Sequence, residues 1–204
     1  MINNAMLLKQ YRLNNRGFSI TELMVSIAII SILSSIAWPV CHGLLANNTV
    51  RTAATQLATI LQKARVEAIS QQYNVIVQFY APHADGSYKY TIMTDENSNG
   101  INDNGEQMKT INLTEAIYFS SNSDTFSPQG DRIEETDGIT FAANRITFSP
   151  RGSASNSGAI YLVPRDDISP SVTHIRGRAI TVANATGKIR VWKYAQEEAD
   201  APWR

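Results

Sequence analysis

Three groups of residues carry side chains whose type and spacing could do chemistry. The densest is Asp95-Glu96-Asn97-Ser98-Asn99-Gly100-Ile101-Asn102-Asp103-Asn104-Gly105-Glu106. Its oxygen-bearing residues recur as D-x-[DN]-x-[DN]-G-x5-E, the spacing of a loop that wraps calcium. Asp95, Asn97 and Asn99 would give side-chain oxygens and Ile101 a backbone carbonyl. Asp103 would act directly or through water, and Glu106 would bind with both oxygens. Asn in place of Asp at two positions lowers the charge. Asn102 stands where helix-flanked loops carry an aliphatic residue. A calcium site here would be weak, near ~10⁻⁴–10⁻³ M. The competing reading is an Asn/Asp/Gly-rich hairpin tip that is simply a good turn.

The second group is basic. Arg176, Arg178, Lys188, Arg190 and Lys193 gather near the end of the chain, with Trp192 among them. If Lys188 and Arg190 alternate with Ile189 and Val191 along a strand, both cations share a face. Cations beside an aromatic ring suit a nucleic-acid phosphate backbone. The alternative is a solvated strand face beside an acidic half of the same domain. From Asp85 to Asp137 there are 11 acidic and 3 basic residues, net −8; from Arg145 to Arg204 there are 9 basic and 5 acidic, net +4.

The third group is a single carboxylate, Glu22, the one ionisable residue in an apolar run from Phe18 to Val40. No catalytic set accompanies these groups. His42, His83 and His174 are scattered, and none has metal-ligand spacing to another or to Cys41. Neither a phosphate loop nor a nucleophile elbow is present. One cysteine excludes an internal disulfide, so the domain must stand on its core.

The apolar run positions Glu22. As a helix at ~1.5 Å per residue it spans roughly 30 Å, about one hydrocarbon core. A carboxylate in such a helix costs about 2.5–3.5 kcal/mol at the bilayer centre and less near its edge, so Glu22 calls for a partner. A plain anchor accounts for the length but not for Glu22. A secretory signal peptide would use the small residues of Ser35-Ile36-Ala37, but Trp38-Pro39 would then follow the cut and Glu22 would lie inside the apolar region. Lys9, Arg12 and Arg16 precede the run and predict a cytoplasmic start, with the chain after Pro39 beyond the membrane. Pro39 removes one helix hydrogen bond and predicts a kink.

From Asn47 to about Ser70 the pattern becomes an amphipathic helix. Val50, Ala54, Leu57, Leu61, Ala64 and Ala68 form its stripe, which should pack on a sheet; Asn48 or Thr49 would cap the helix if it restarts there. The remainder predicts strands: Asn74–Tyr80, Tyr88–Thr94, Lys109–Leu113, Ile117–Ser120, Ile139–Phe141, Arg145–Phe148, Ala159–Val163, Arg178–Ala183 and Lys188–Lys193. Asp85-Gly86 and Asn184–Gly187 are the expected turns, 121–138 a polar surface loop around Pro128-Gln129-Gly130, and 195–204 a charged tail. A long helix followed by strands predicts an α+β fold, the helix laid on antiparallel sheet.

Gly17-Phe18-Ser19-Ile20-Thr21-Glu22, after a short polar leader with Lys9, Arg12 and Arg16, resembles the N-terminus of type IV pilin-like proteins. Ile146-Thr147-Phe148-Ser149-Pro150-Arg151-Gly152, Gly158-Ala159-Ile160-Tyr161-Leu162 and the hairpin around Gly187 resemble the pseudopilin H / FimT branch, a likeness covering nearly the whole chain. The resemblance implies cleavage by prepilin peptidase between Gly17 and Phe18, with N-methylation of Phe18. Glu22, the fifth mature residue, would then serve filament assembly by meeting the terminal amine of a neighbouring subunit.

The resemblance further implies one continuous helical spine and three regions: leader 1–17, membrane and filament-core helix 18–46, and globular domain 47–204. It implies a single-pass protein of the bacterial inner membrane with its domain in the periplasm. The partners would be other pseudopilins or pilins, met through the N-terminal helix. A minor pseudopilin of type II secretion, without enzymatic activity, is the leading expectation. A minor type IV pilin is the alternative. FimT-type pilins that bind DNA carry Gly-Arg-x-Arg near the C-terminus; here Gly187-Lys188-Ile189-Arg190 stands at that place, and Lys188 lacks arginine's planar fork.

Overall fold

The computed structural model describes residues 19–80, 88–120, 128, 138–167, 176–194 and 203. The chain divides into two compact units, residues 1–42 and 43–204. One helix, α1, runs Ile20–Gln71. It passes through Thr49 without a break, and Thr49 Oγ1 donates back to Leu45 O at 2.9 Å instead of capping a new start. The helix therefore does not restart at Asn48 or Thr49, and the continuous spine implied by the resemblance is what the chain forms.

In the first unit, Ile20–Trp38 is long and apolar enough to cross a membrane, by length and composition. Three of its serines are satisfied locally. Ser26 Oγ donates to Glu22 O (2.8 Å), Ser31 Oγ to Ile27 O (2.8 Å) and Ser35 Oγ to Ile32 O (2.7 Å), so these hydroxyls carry no unmet donor into an apolar medium.

In the second unit the foreseen stripe is buried throughout, from Val50 through Ala54, Leu57, Leu61 and Ala64 to Ala68, joined by Ala53 and Ala58. Its small residues allow close approach of helix and sheet. The strands are β1 (Asn74–Tyr80), β2 (Lys89–Asp95), β3 (Met108–Asn112), β4 (Ile117–Phe119), β5 (Arg145–Phe148), β6 (Gly158–Pro164), β7 (Arg178–Val182) and β8 (Ile189–Lys193). They form two four-stranded sheets of order β3-β2-β1-β5 and β4-β6-β7-β8, antiparallel at every pairing. The expected strand Ile139–Phe141 is only an isolated bridge, Ile139 to Ile160, before a short 3-10 turn at Ala142–Asn144. The expected turn Asp85-Gly86 and the charged tail lie outside the described residues, Trp203 apart, as does most of the 121–138 loop.

Alternation puts Val75, Val77 and Phe79 of β1, Ile146 and Phe148 of β5, Ile160 and Leu162 of β6, and Ile180 and Val182 of β7 into one core with the helix stripe. Phe79 and Phe119 meet edge to face at 5.8 Å and join the two sheets through that core. The opposite face of the second sheet carries a smaller cluster of Ala159, Tyr161 and Ala179, covered by Trp192 and Trp203.

Three distant segments close on one another at Arg65. Its Nε donates to Gly152 O at 2.8 Å. The turn before β8 is closed by Gly187 N–H donating to Ala183 O (2.8 Å). Gly187 has φ +58°, and a Cβ there would fall on Gly152 O and 2.8 Å from Arg65 Nε. Only glycine fits that contact.

Candidate functional site

Glu22 lies in the first turn of α1, exposed, where the helix macrodipole favours a negative charge. Among the described residues its carboxylate has no ion-pair partner within the chain. Gly17 and Phe18 lie outside the described residues.

The 95–106 loop follows β2 directly. Asp95 ends that strand and is 2% exposed. Its Oδ1 accepts the Asn99 N–H at 3.0 Å and its Oδ2 the Gly100 N–H at 3.1 Å. Asn97 Oδ1 accepts from Asn99 N (3.0 Å) and Asn99 Oδ1 from Ile101 N (2.7 Å). Glu106 Oε1 and Oε2 take the N–H groups of Glu96 (2.9 Å) and Asp103 (2.8 Å). Asp103 Oδ2 accepts from Asn97 Nδ2 at 2.7 Å and from Asn99 Nδ2; these bonds hold its carboxyl below the usual range, against a small opposing effect of burial. Ile101 is an exposed side chain at the loop's outer edge. Asp95, Asn97, Asn99, Asp103 and Glu106 thus each accept at least one hydrogen bond from within the loop. Among the described residues, no three or more His, Cys, Asp or Glu gather closely enough to hold a metal.

That arrangement makes Asp95 a structural carboxylate. Hydrogen bonds to a charged group contribute about 1.5–3 kcal/mol. Asp95→Ala leaves two backbone donors without their acceptor, and about 2–3 kcal/mol of stability should be lost in calcium-free buffer. Urea unfolding with and without millimolar calcium checks this. A cost that emerges only when calcium is present would make Asp95 a ligand instead.

The basic group divides across its sheet. Arg178 is buried, on the same side of β7 as Ile180 and Val182, and donates from Nη2 to Asn47 Oδ1 at 3.0 Å. Its cross-strand partner is Lys193, so those two share a face. Arg190 pairs with Thr181 on the other face, its guanidinium 5.8 Å from the Trp192 ring centroid, while Trp192 Nε1 donates to Thr181 Oγ1 at 2.9 Å. Lys188 is exposed and precedes β8. The four cations Arg178, Lys188, Arg190 and Lys193 therefore do not make one phosphate-binding surface. This corrects the expectation of a single patch, and the reason is strand parity. Arg178 alternates with the strand's apolar side and was inward from the start.

An ion pair that the sequence reading missed lies nearby. Asp167, 2% exposed, is gripped at both oxygens by Arg176, whose Nε donates to Oδ2 at 3.0 Å and whose Nη2 meets Oδ1. Arg176 thus belongs to a bidentate clamp and not to a free basic patch. Nothing in the local spacing pairs residues nine apart.

A family model described as type II transport protein GspH matches residues 53–187, and the prokaryotic N-terminal methylation motif matches residues 12–38. The pilin-like protein PilA1 of Thermus thermophilus is 33% identical over 97 residues, which is 47% of this chain and 58% of that protein. The chain therefore spans little more than half the length of that relative. Among solved structures, the type IV minor pilin FimU of Pseudomonas aeruginosa aligns with a TM-score of 0.44 and 17% identity, covering 71% of this chain and 88% of that one. The minor pseudopilin EpsH from the type 2 secretion system of Vibrio cholerae aligns with a TM-score of 0.42 and 14% identity, covering 71% and 96%. The GspH match takes in most of the helix stripe, strands β1 to β7 and the Gly187 turn, well over half of the chain, and the chain belongs to the GspH family of type II transport proteins.

Proposed function

We propose that this chain is a minor pseudopilin of a type II secretion system. The observation that carries the reading is the coincidence of two matches on one chain, the methylation motif over 12–38 and the GspH family over 53–187. In this reading prepilin peptidase removes residues 1–17 and Phe18 is methylated. The helix over 18–46 then holds the protein in the bacterial inner membrane and later forms filament core with other pilin-like subunits. The domain over 47–204 stands in the periplasm and does no catalysis. Its work is to occupy one place in a filament that drives folded proteins outward. The relative from Thermus thermophilus, named a pilin-like protein, favours a second reading as a minor subunit of a type IV pilus. DNA binding belongs to this second reading, and of the four cations named for it Lys188, Arg190 and Lys193 are exposed while Arg178 is buried. Secretion ATPase and secretin genes beside this one, against pilus retraction genes, separate the two.

Processing gives the direct test. Mass spectrometry of the protein purified from membranes should find a mature N-terminus at methylated Phe18. In a Gly17→Ala variant the leader should remain. A mature N-terminus at Trp38 would overturn the pilin reading in favour of a signal peptide.

A further inference from the structure

Arg178 is 7% exposed, yet both of its bonded acceptors are neutral. Nη1 donates to Gly177 O at 3.2 Å and Nη2 to Asn47 Oδ1 at 3.0 Å. Among the described residues no carboxylate pairs with it, in contrast to Asp167, which has its arginine. A guanidinium offers five N–H donors, so two bonds leave the fork partly used.

The charges described beside it, Arg51 and Lys193, have the same sign. Arg51 lies four residues beyond Asn47, on the same side of α1, and is exposed. Lys193 is the register partner of Arg178 across β7 and β8, shares its face and is also exposed. Burial, and secondarily the nearby Arg51, push the Arg178 guanidinium below its usual range, the direction expected for a cation lacking a counter-charge. Among the described residues this buried cation sits with other cations, with only an amide and a carbonyl to receive it, an arrangement that an anion would complete.

We propose that Asn47, Arg51, Arg178 and Lys193 form a binding site for a phosphate group. Arg178 is its buried floor, oriented by Asn47, and Arg51 and Lys193 are its exposed walls. A planar fork receives two oxygens of one phosphate, and a doubly charged anion offsets most of three cations. The site is distinct from Arg190 and Trp192, which lie on the other face of the sheet. Inorganic phosphate and the headgroup of an anionic phospholipid both supply this chemistry.

The test uses the full chain in neutral detergent. Thermal unfolding is followed by tryptophan fluorescence in phosphate and in chloride at matched ionic strength. A second arm uses bilayer discs of phosphatidylcholine with and without phosphatidylglycerol, free of inorganic phosphate. The comparison variant is Arg51→Gln/Lys193→Gln, which leaves the buried Arg178–Asn47 contact intact. A free-phosphate site predicts a Tm that rises with phosphate in the parent protein, with affinity at least tenfold weaker in the double variant. A headgroup site predicts the Tm rise only with phosphatidylglycerol, again lost in the double variant. A double variant that responds like the parent in both arms, or a parent that responds in neither, overturns the proposal.

Discussion

Replacing Gly187 with alanine is expected to remove roughly 2–5 kcal/mol from the stability of the 43–204 unit, the largest loss for any single methyl group described above. Two costs combine. At φ +58° a side chain pays about 1–2 kcal/mol for the left-handed backbone. The added Cβ also lands on Gly152 O, a backbone atom that cannot swing aside, and close to Arg65 Nε. Forced overpacking of this kind costs about 1–3 kcal/mol. A domain whose total stability is about 5–15 kcal/mol then stands near its threshold. Urea unfolding should show a lowered midpoint with an unchanged slope. Gly105→Ala serves as the comparison. Its φ of +107° also strains a side chain, but a Cβ there meets nothing within 4 Å. Equal losses at Gly105 and Gly187 would mean that backbone strain alone matters and the Arg65 contact contributes nothing.

The second large effect concerns Glu22, and it should appear in assembly while leaving folding unchanged. Removing a carboxylate from an apolar helix makes membrane insertion easier, so Glu22→Ala should fractionate with membranes as the parent does. A filament core that pairs Glu22 with the amine of a neighbouring Phe18 would then hold one buried charge alone. Losing one partner of a buried pair costs about 3–5 kcal/mol. Assembly should weaken more than 100-fold by the usual conversion of about 1.4 kcal/mol per decade. Cross-linking of the variant to its neighbours, in cells lacking the parent copy, is the measurement. Wild-type levels of cross-linked product and of secretion would remove Glu22 from assembly.

The sequence reading succeeded where a period was visible. The stripe from Val50 to Ala68 is legible because spacings of three and four are what a helix buries, and all six named positions are buried. Asn74–Tyr80 and Arg145–Phe148 end where their β-branched and aromatic runs end. The split into two sheets was not legible. It depends on β1 pairing with β5 and β4 with β6, across long separations that local pattern does not encode. Side of burial was half legible. Alternation was read for Lys188 to Val191 but not for β7, where Arg178 was grouped with the other cations by charge, although it keeps step with Ile180 and Val182. The Asp167–Arg176 clamp had no local signal. The loop at 95–106 was found by its spacing, yet a good turn and a cation loop share that spacing, and the sequence did not show that Asp95 and Glu106 accept the loop's own backbone N–H groups.

The Arg65 contact also sets a birth order. Arg65 and Gly152 are 87 residues apart, and the Gly187 turn that closes over them comes later still. The strands that cover the helix with Ile180 and Val182 are among the last parts of the chain to be made. While the polypeptide emerges, the stripe of Val50, Leu57 and Leu61 waits for the last of its cover. Contacts between such distant segments form slowly, and apolar surface bared in the meantime invites aggregation. A nascent chain stopped before residue 178 would lack Ile180 and Val182 and leave part of its stripe open, an apolar mark that distinguishes an unfinished subunit from a finished one.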